Sequence, residues 1–154
     1  MNDAEPFDLD RFMPYLLSVL ASRLSHGLAS TYAERFGITI PEWRLIAHLV
    51  PNTKVSVREI HERVDMDKAK VSRAAAQLEG AGIITKRVNP ADRRLVELAL
   101  TRKGRRLFEQ IAPLAVAFES QLFEDFTPQE TAAFQKSVAR LLGKVRKTAE
   151  KNER

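Results

Sequence analysis

A mainly α-helical fold carrying one small β-hairpin is the class this sequence predicts, on three observations. Apolar residues recur every three or four positions through several long stretches. Helix-starting and helix-stopping residues stand at the ends of those stretches. Only between Ile83 and Leu100 does the pattern change to short β-prone runs, set around the cluster Asn89-Pro90-Ala91-Asp92.

Each element follows in order. Leu16, Leu20, Leu24, Leu28 and Tyr32 repeat at intervals of four and predict one long helix from about Leu9 to Phe36. Pro14 is expected to separate or kink its first turn, and Gly37 to stop it. Pro41 opens a shorter helix, PEWRLIAHLV, with Leu45, Ile46 and Leu49 on its apolar side and Pro51-Asn52 at its end. Ser56 with Glu59 forms a capping box for a helix over Val57 to Val64. Asp65-Met66-Asp67 predicts a tight turn, with Asp67 capping a further helix to about Glu79 that Gly80 and Gly82 end. Two short helices joined this way outline a helix-turn-helix. Ile83 to Val88 and Leu95 to Leu100 then read as paired strands with a basic tip. Thr101 caps a long helix expected to reach about Phe126, kinked at Pro113. Thr127-Pro128-Gln129-Glu130 starts the last helix, whose Phe134, Val138, Leu141, Leu142 and Val145 share a face. Its end, from about Lys147 to Arg154, is expected to fray.

The 154 residues suffice for one compact unit with a sizeable core. The formal charge is +5, and its placement is uneven. Of 25 Lys and Arg, 14 lie between Lys54 and Arg106, against 7 of the 20 Asp and Glu. That stretch carries a net +7 and the remainder −2, which points to a polyanionic partner for the middle of the chain. There is no cysteine, so disulfides, thiolate metal sites and thiol redox switches are excluded. The acidic start MNDAEPFDLD does not resemble a secretory leader, and no apolar run approaches the ~20 residues of a membrane span. A cytoplasmic location is the expectation. No HExxH, GxSxG or glycine-rich phosphate loop is present, and His26, His48 and His61 lack metal-ligand spacing. Neither an enzyme nor a metal or cofactor carrier is expected.

On the helix from Lys68 to Glu79, a turn of 100° per residue puts Val71, Ala74, Ala75 and Leu78 on one side. Ala69, Ser72, Arg73 and Ala76 fall opposite, edged by Lys68, Lys70 and Gln77. Small side chains permit close approach to a major groove, Arg73 suits guanine O6 and N7, and the lysines suit phosphates. Arg93 and Arg94 at the hairpin turn, with Lys86 and Arg87 before them, suit a narrow minor groove or the backbone beside it. Asp92 reads as the internal partner that orients an arginine.

At this point the chain resembles the multiple antibiotic resistance regulator (MarR) family. The segments that carry the resemblance are VSRAAAQLEGAGIITKR from Val71 to Arg87, DRRLVELALTRKG from Asp92 to Gly104, and GITIPEWRLIAHL from Gly37 to Leu49. It implies a winged helix-turn-helix regulator that binds a palindromic operator in double-stranded DNA as a homodimer. Residues 1–36 and 101–154 would be the dimerisation region, and residues 37–100 the DNA-binding lobe. Lys68, Lys70, Ser72 and Arg73 then map to the recognition helix. Arg94 maps to the wing arginine with Asp92 as its salt-bridged support, and Arg87 and Arg93 flank it. Members of the family usually repress and often release DNA on binding a small ligand. Peroxide sensing through cysteine, used by some, is excluded here. Dimerisation also follows from the apolar faces of the terminal helices, too broad for one chain of this length to cover.

Arg23 and His26 on the first helix and Trp43, Arg44 and His48 on the second lie where similar regulators hold their effector. Arginines suit a carboxylate or phosphate and Trp43 a flat ring, so the expected effector is an anionic aromatic or acyl-thioester compound. The competing view makes Trp43 a core residue, Arg44 a surface ion pair and His48 an ordinary helix histidine. The competing function is a protein-interaction module that uses the helix-turn-helix shape and binds DNA only non-specifically.

Overall fold

The computed structural model describes residues 7–51, 54–64 and 66–152, and the side chains of these apart from 62 and 149–152. Asn52, Asp65 and the last two residues, on which parts of the turn and end assignments rest, lie outside the described residues. A single 3₁₀ turn over Leu9–Arg11 precedes α1 (Met13–Phe36). Pro14 sits in the first turn of α1, where its missing N–H costs nothing, and Gly37 ends the helix at φ 65°.

The following helix, α2 (Ile40–Leu49), starts one residue before the expected Pro41. Thr39 is its cap: the Glu42 amide donates to the Thr39 hydroxyl at 3.4 Å and the Thr39 amide to the Glu42 carboxylate at 2.8 Å. This reciprocal pair went unread because Pro41 drew the boundary to itself. Next come β1 (Val55–Ser56), α3 (Val57–Arg63) and α4 (Lys68–Gly80). The Ser56–Glu59 box of α3 and the Asp67 cap of α4 are both present.

The hairpin is β2 (Ile84–Val88) with β3 (Val96–Leu100), antiparallel from Ile84 opposite Leu100 to Val88 opposite Val96. It is not a two-stranded ribbon as expected. β1 adds to the far edge of β3, Val55 opposite Leu98, giving the order β1-β3-β2. Two residues carry too little periodicity to announce a strand. The pairing comes from β3, whose free edge needs hydrogen-bonding partners.

Two helices complete the chain. α5 spans Arg102–Leu122 and α6 spans Pro128–Asn152. α5 runs through Pro113 but stops four residues short of the expected Phe126. There the Phe126 amide donates to the Phe123 carbonyl, and the Phe123 ring lies 5.3 Å from Phe126 and 6.1 Å from Phe134. This aromatic group holds the chain in a turn, after which the Thr127–Glu130 box restarts a helix. Of the fraying expected from Lys147 to Arg154, the described part is instead helical, since α6 continues to Asn152.

The chain divides between Ala115 and Val116 into two compact units. The core lies wholly in the first: Leu45, Ile46 and Leu49 of α2, Ile60 of α3, Val71, Ala75 and Leu78 of α4, Leu98 of β3 and Ile111 of α5 have 1% exposure or less. The second unit comprises the end of α5, the aromatic turn and α6. No helix among the described residues is long and apolar enough to cross a membrane.

Candidate nucleic-acid interface

α4 owes its position to its two ends and its inner face. At the start, Asp67 accepts from the Lys70 amide at 2.7 Å, and its other oxygen lies 3.8 Å from Lys70 Nζ. The amide bond first, and the Lys70 and Arg73 charges after it, hold the Asp67 carboxyl below its ordinary range. Ahead of it, the turn is pinned from α3, where His61 Nδ1 lies 2.7 Å from the Met66 carbonyl oxygen and Met66 itself is 6% exposed. A carbonyl only accepts, so His61 Nδ1 carries the proton. The sequence offered His61 only as a failed metal ligand, and the spacing of five to Met66 was the signal available.

Val71, Ala74, Ala75 and Leu78 are buried, as the helical projection requires. Lys68, Ala69, Lys70, Ser72, Arg73, Ala76 and Gln77 are all exposed. One face of α4 is thus small and cationic, and nothing else among the described residues covers it.

The wing tip is organised by two short polar side chains. Asn89 Oδ1 accepts from the amides of Ala91 at 2.8 Å and Asp92 at 3.2 Å, while Asn89 Nδ2 donates to Glu97 at 2.8 Å. Asp92 Oδ1 accepts from the Arg94 amide at 3.0 Å, and Leu95 N donates to the Asp92 carbonyl. Asp92 therefore supports Arg94 through its main chain. The salt bridge to the guanidinium implied by the resemblance is not formed among the described residues, where Asp92 instead accepts from the Arg94 amide. Arg93 and Arg94 are both exposed.

The strands separate the other two cations. Lys86 lies 3.7 Å from Glu79 of α4. Arg87 stands opposite Glu97 on the other face of the sheet, where Glu97 also meets Lys54 at 3.7 Å. The structure thus groups Lys68, Lys70, Ser72 and Arg73 on α4 and Arg93 with Arg94 at the tip, and sets Arg87 apart beside a carboxylate.

The effector candidates divide similarly. Trp43 is 9% exposed, stacked on Phe108 with centroids 5.7 Å apart and planes at 10°, and tilted against Tyr32 at 5.5 Å. It is a core residue. Arg44 is half-buried and donates to the Ser25 hydroxyl at 3.1 Å, rather than to a surface carboxylate. His48 is half-buried, and burial with the Arg63 charge lowers its pKa against the pull of Glu59. Arg23 and His26 are exposed on α1, His26 Nδ1 lying 2.8 Å from its own helix's Ser22 carbonyl. Tyr32, read in the sequence only as part of an apolar repeat, is 1% exposed, and its hydroxyl has no hydrogen-bond partner among the described residues. Burial raises its pKa while the Arg44 charge opposes that rise.

Comparison with known proteins gives a consistent picture. The sequence profile of the MarR family matches residues 36–95. A MarR/EmrR family transcriptional regulator from Acinetobacter sp. ADP1 superposes with a TM-score of 0.83 at 30% identity, over 92% of this chain and 99% of that one. An HTH-type transcriptional regulator of Bacillus cereus is 28% identical over 129 residues, 84% of each chain. The HTH-type transcriptional repressor MdtR of Bacillus subtilis is 27% identical over 121 residues, 79% of this chain and 76% of that protein.

Proposed function

We propose how this chain, which belongs to the MarR family of DNA-binding transcriptional regulators, recognises and releases its DNA. It regulates transcription and is not an enzyme. In our reading it acts as a homodimer on a palindromic operator. Residues 37–100 form the DNA-binding lobe, and residues 1–36 and 101–154 the dimerisation region.

The observation that carries this reading is the split of α4 into a buried face of Val71, Ala74, Ala75 and Leu78 and an exposed face of small and cationic residues. Arg73 and Ser72 read base edges, and Lys68 and Lys70 hold phosphates. Arg93 and Arg94 enter the minor groove, and Arg87 contributes backbone attraction from the strand behind them. Two subunits engage half-sites about one helical turn apart. Phe12 just before α1, Met13, Leu16 and Leu20 on α1, and Phe134, Leu141, Leu142 and Val145 on α6 are exposed apolar residues that a second copy would cover.

Repression is the sign of regulation we favour, in line with the similarity to MdtR. The effector is a small anionic compound, aromatic or acyl-thioester, bound near Arg44. The half-buried Arg44, and the buried Tyr32 hydroxyl that has no hydrogen-bond partner among the described residues, support an anion here, with the Trp43 ring packed against Tyr32. His48, Arg23 and His26 are the outer candidates. Footprinting on the DNA upstream of the protein's own gene tests the regulator, and protection of one palindrome with steep salt dependence is the expected result. Titrating aromatic carboxylates and acyl thioesters against Trp43 fluorescence tests the effector. An unresponsive, folded dimer rules those classes out.

A further inference from the structure

The turn that follows α4 is fastened to the start of α5. The last carbonyls of α4 find partners locally, Gln77 accepting from the Ala81 amide, Leu78 from Ile83 and Glu79 from Gly82, which leaves the carbonyls of the turn itself to be met. Here three successive carbonyls just beyond α4 are taken by the first residues around α5. Ala81 O accepts from Lys103 Nζ at 2.7 Å. Gly82 O accepts from the Thr101 hydroxyl at 2.7 Å. Ile83 O accepts from the Thr101 amide at 3.0 Å and lies 3.0 Å from the same hydroxyl.

That hydroxyl has a second duty. It accepts from the Gly104 amide at 3.0 Å, which makes it the cap of α5. The contact is also sterically exclusive. A Cβ on Gly104 would collide with the Ile83 carbonyl oxygen and stand 2.9 Å from Leu100 Cδ2, so a glycine is what lets α5 approach this closely. One side chain thereby ties the turn after α4 to the first turn of α5. The strand pairing of β2 with β3 does not need it, since that ladder is complete from Ile84 to Leu100.

We propose that Thr101, assisted by Lys103 and Gly104, is a positioning group for DNA reading: it fixes the angle at which α4 leaves the sheet and so the seat of its exposed face in the groove. The inference rests on the role given to α4 above. Base contacts need side chains placed within about half an ångström, whereas attraction to phosphates tolerates much larger errors. A loosened joint therefore weakens specific binding while sparing the non-specific kind.

The experiment compares, at one salt concentration, affinity for the footprinted duplex with affinity for a scrambled duplex of equal length. Thr101→Val keeps the shape and removes the hydroxyl. It is expected to lower affinity for the footprinted duplex by about tenfold, the worth of one lost base contact, with scrambled-duplex affinity within about twofold. Thr101→Ser is expected to restore the wild-type ratio. An unchanged ratio in Thr101→Val, or an equal fall on both duplexes, overturns the proposal. Should Thr101→Val not fold, Lys103→Met, altered at an exposed site, decides: a reduced ratio supports the joint and a wild-type ratio overturns it. A wild-type protein that prefers no duplex removes the role of α4 itself, a failure visible before any variant is made.

Discussion

The core of the first unit and the α6 stripe of the second treat the same kinds of residue in opposite ways. In the first, Leu45, Ile46, Leu49 and Ile60 have no exposure. In the second, Leu142 and Val145 of α6 are each 67% exposed, and no described residue beyond Ile111 is buried. Both regions carry apolar residues at helical spacing, so periodicity alone does not separate them. The difference is the number of elements available to pack. Around α2 the chain places α1, α4 and β3, whereas the unit after Val116 has only a helix end, a turn and one long helix. A stripe with no opposing surface stays exposed until another chain supplies one. The first unit is therefore expected to owe its stability to its own core, and the second to association.

The largest effect should come from the core. Ile46→Ala removes a side chain with no exposure and should cost about 2–5 kcal/mol in urea unfolding, by lost burial and the cavity left behind. A smaller change would mean that the first unit is less self-sufficient than its packing implies. The corresponding attack on the second unit is Leu142→Glu. It should leave the first unit folded but shift sedimentation from the proposed dimer to monomer, reducing operator affinity by about a hundredfold or more as one of the two proposed half-sites is lost. A Leu142→Glu dimer of wild-type affinity would show that this stripe is not the dimer surface.

The wing supplies a case in which neither packing nor association is disturbed. Arg94→Ala is expected to weaken operator binding by about 1–3 kcal/mol and leave the dimer intact, as read by gel shift and sedimentation. Lys70→Ala, a phosphate contact in our reading, should instead reduce the slope of log affinity against log salt by about 1.8, one contact being lost from each of the two subunits, with little change in sequence preference. If both variants bind as wild type, the exposed cations are ordinary surface.

The smallest effect concerns pH and again falls in the first unit. Burial and Arg63 hold His48 below its ordinary value of 6.5, so between those two values the unfolded chain binds more protons than the folded one. Stability contributed by neutral His48 is complete above about pH 6.5, falls as pH drops toward the lowered value, and levels off beneath it. His48→Gln should flatten that part of a pH–stability curve. A curve of unchanged shape would assign the fall to other groups.

Much of the candidate interface was legible because it is local. The buried set Val71, Ala74, Ala75 and Leu78 follows from 100° per residue, the caps at Ser56 and Asp67 from residue types three apart, and the hairpin from a change of period. The helices flanking it were legible in kind but not in extent. α5 ended early because Phe123 packs with Phe126 and Phe134, a contact that no window of apolar spacing weighs. Asp92 was read as an ion-pair partner, since sequence names the charges near an arginine without saying which backbone amide is closer.

The chain alone therefore determined which faces turn inward, where helices begin, and which stretch carries the positive charge, because each depends on residues within a turn or two of one another. Tertiary structure decided what meets across long separations. β1 joins the free edge of β3, Trp43 stacks on Phe108 from a helix far along the chain, and the hydroxyl of Thr101 holds the turn after α4 some twenty residues earlier. Those contacts arise when a packed core brings remote segments within hydrogen-bonding range, and a hydroxyl or an indole in sequence gives no sign of which distant carbonyl or ring will be there.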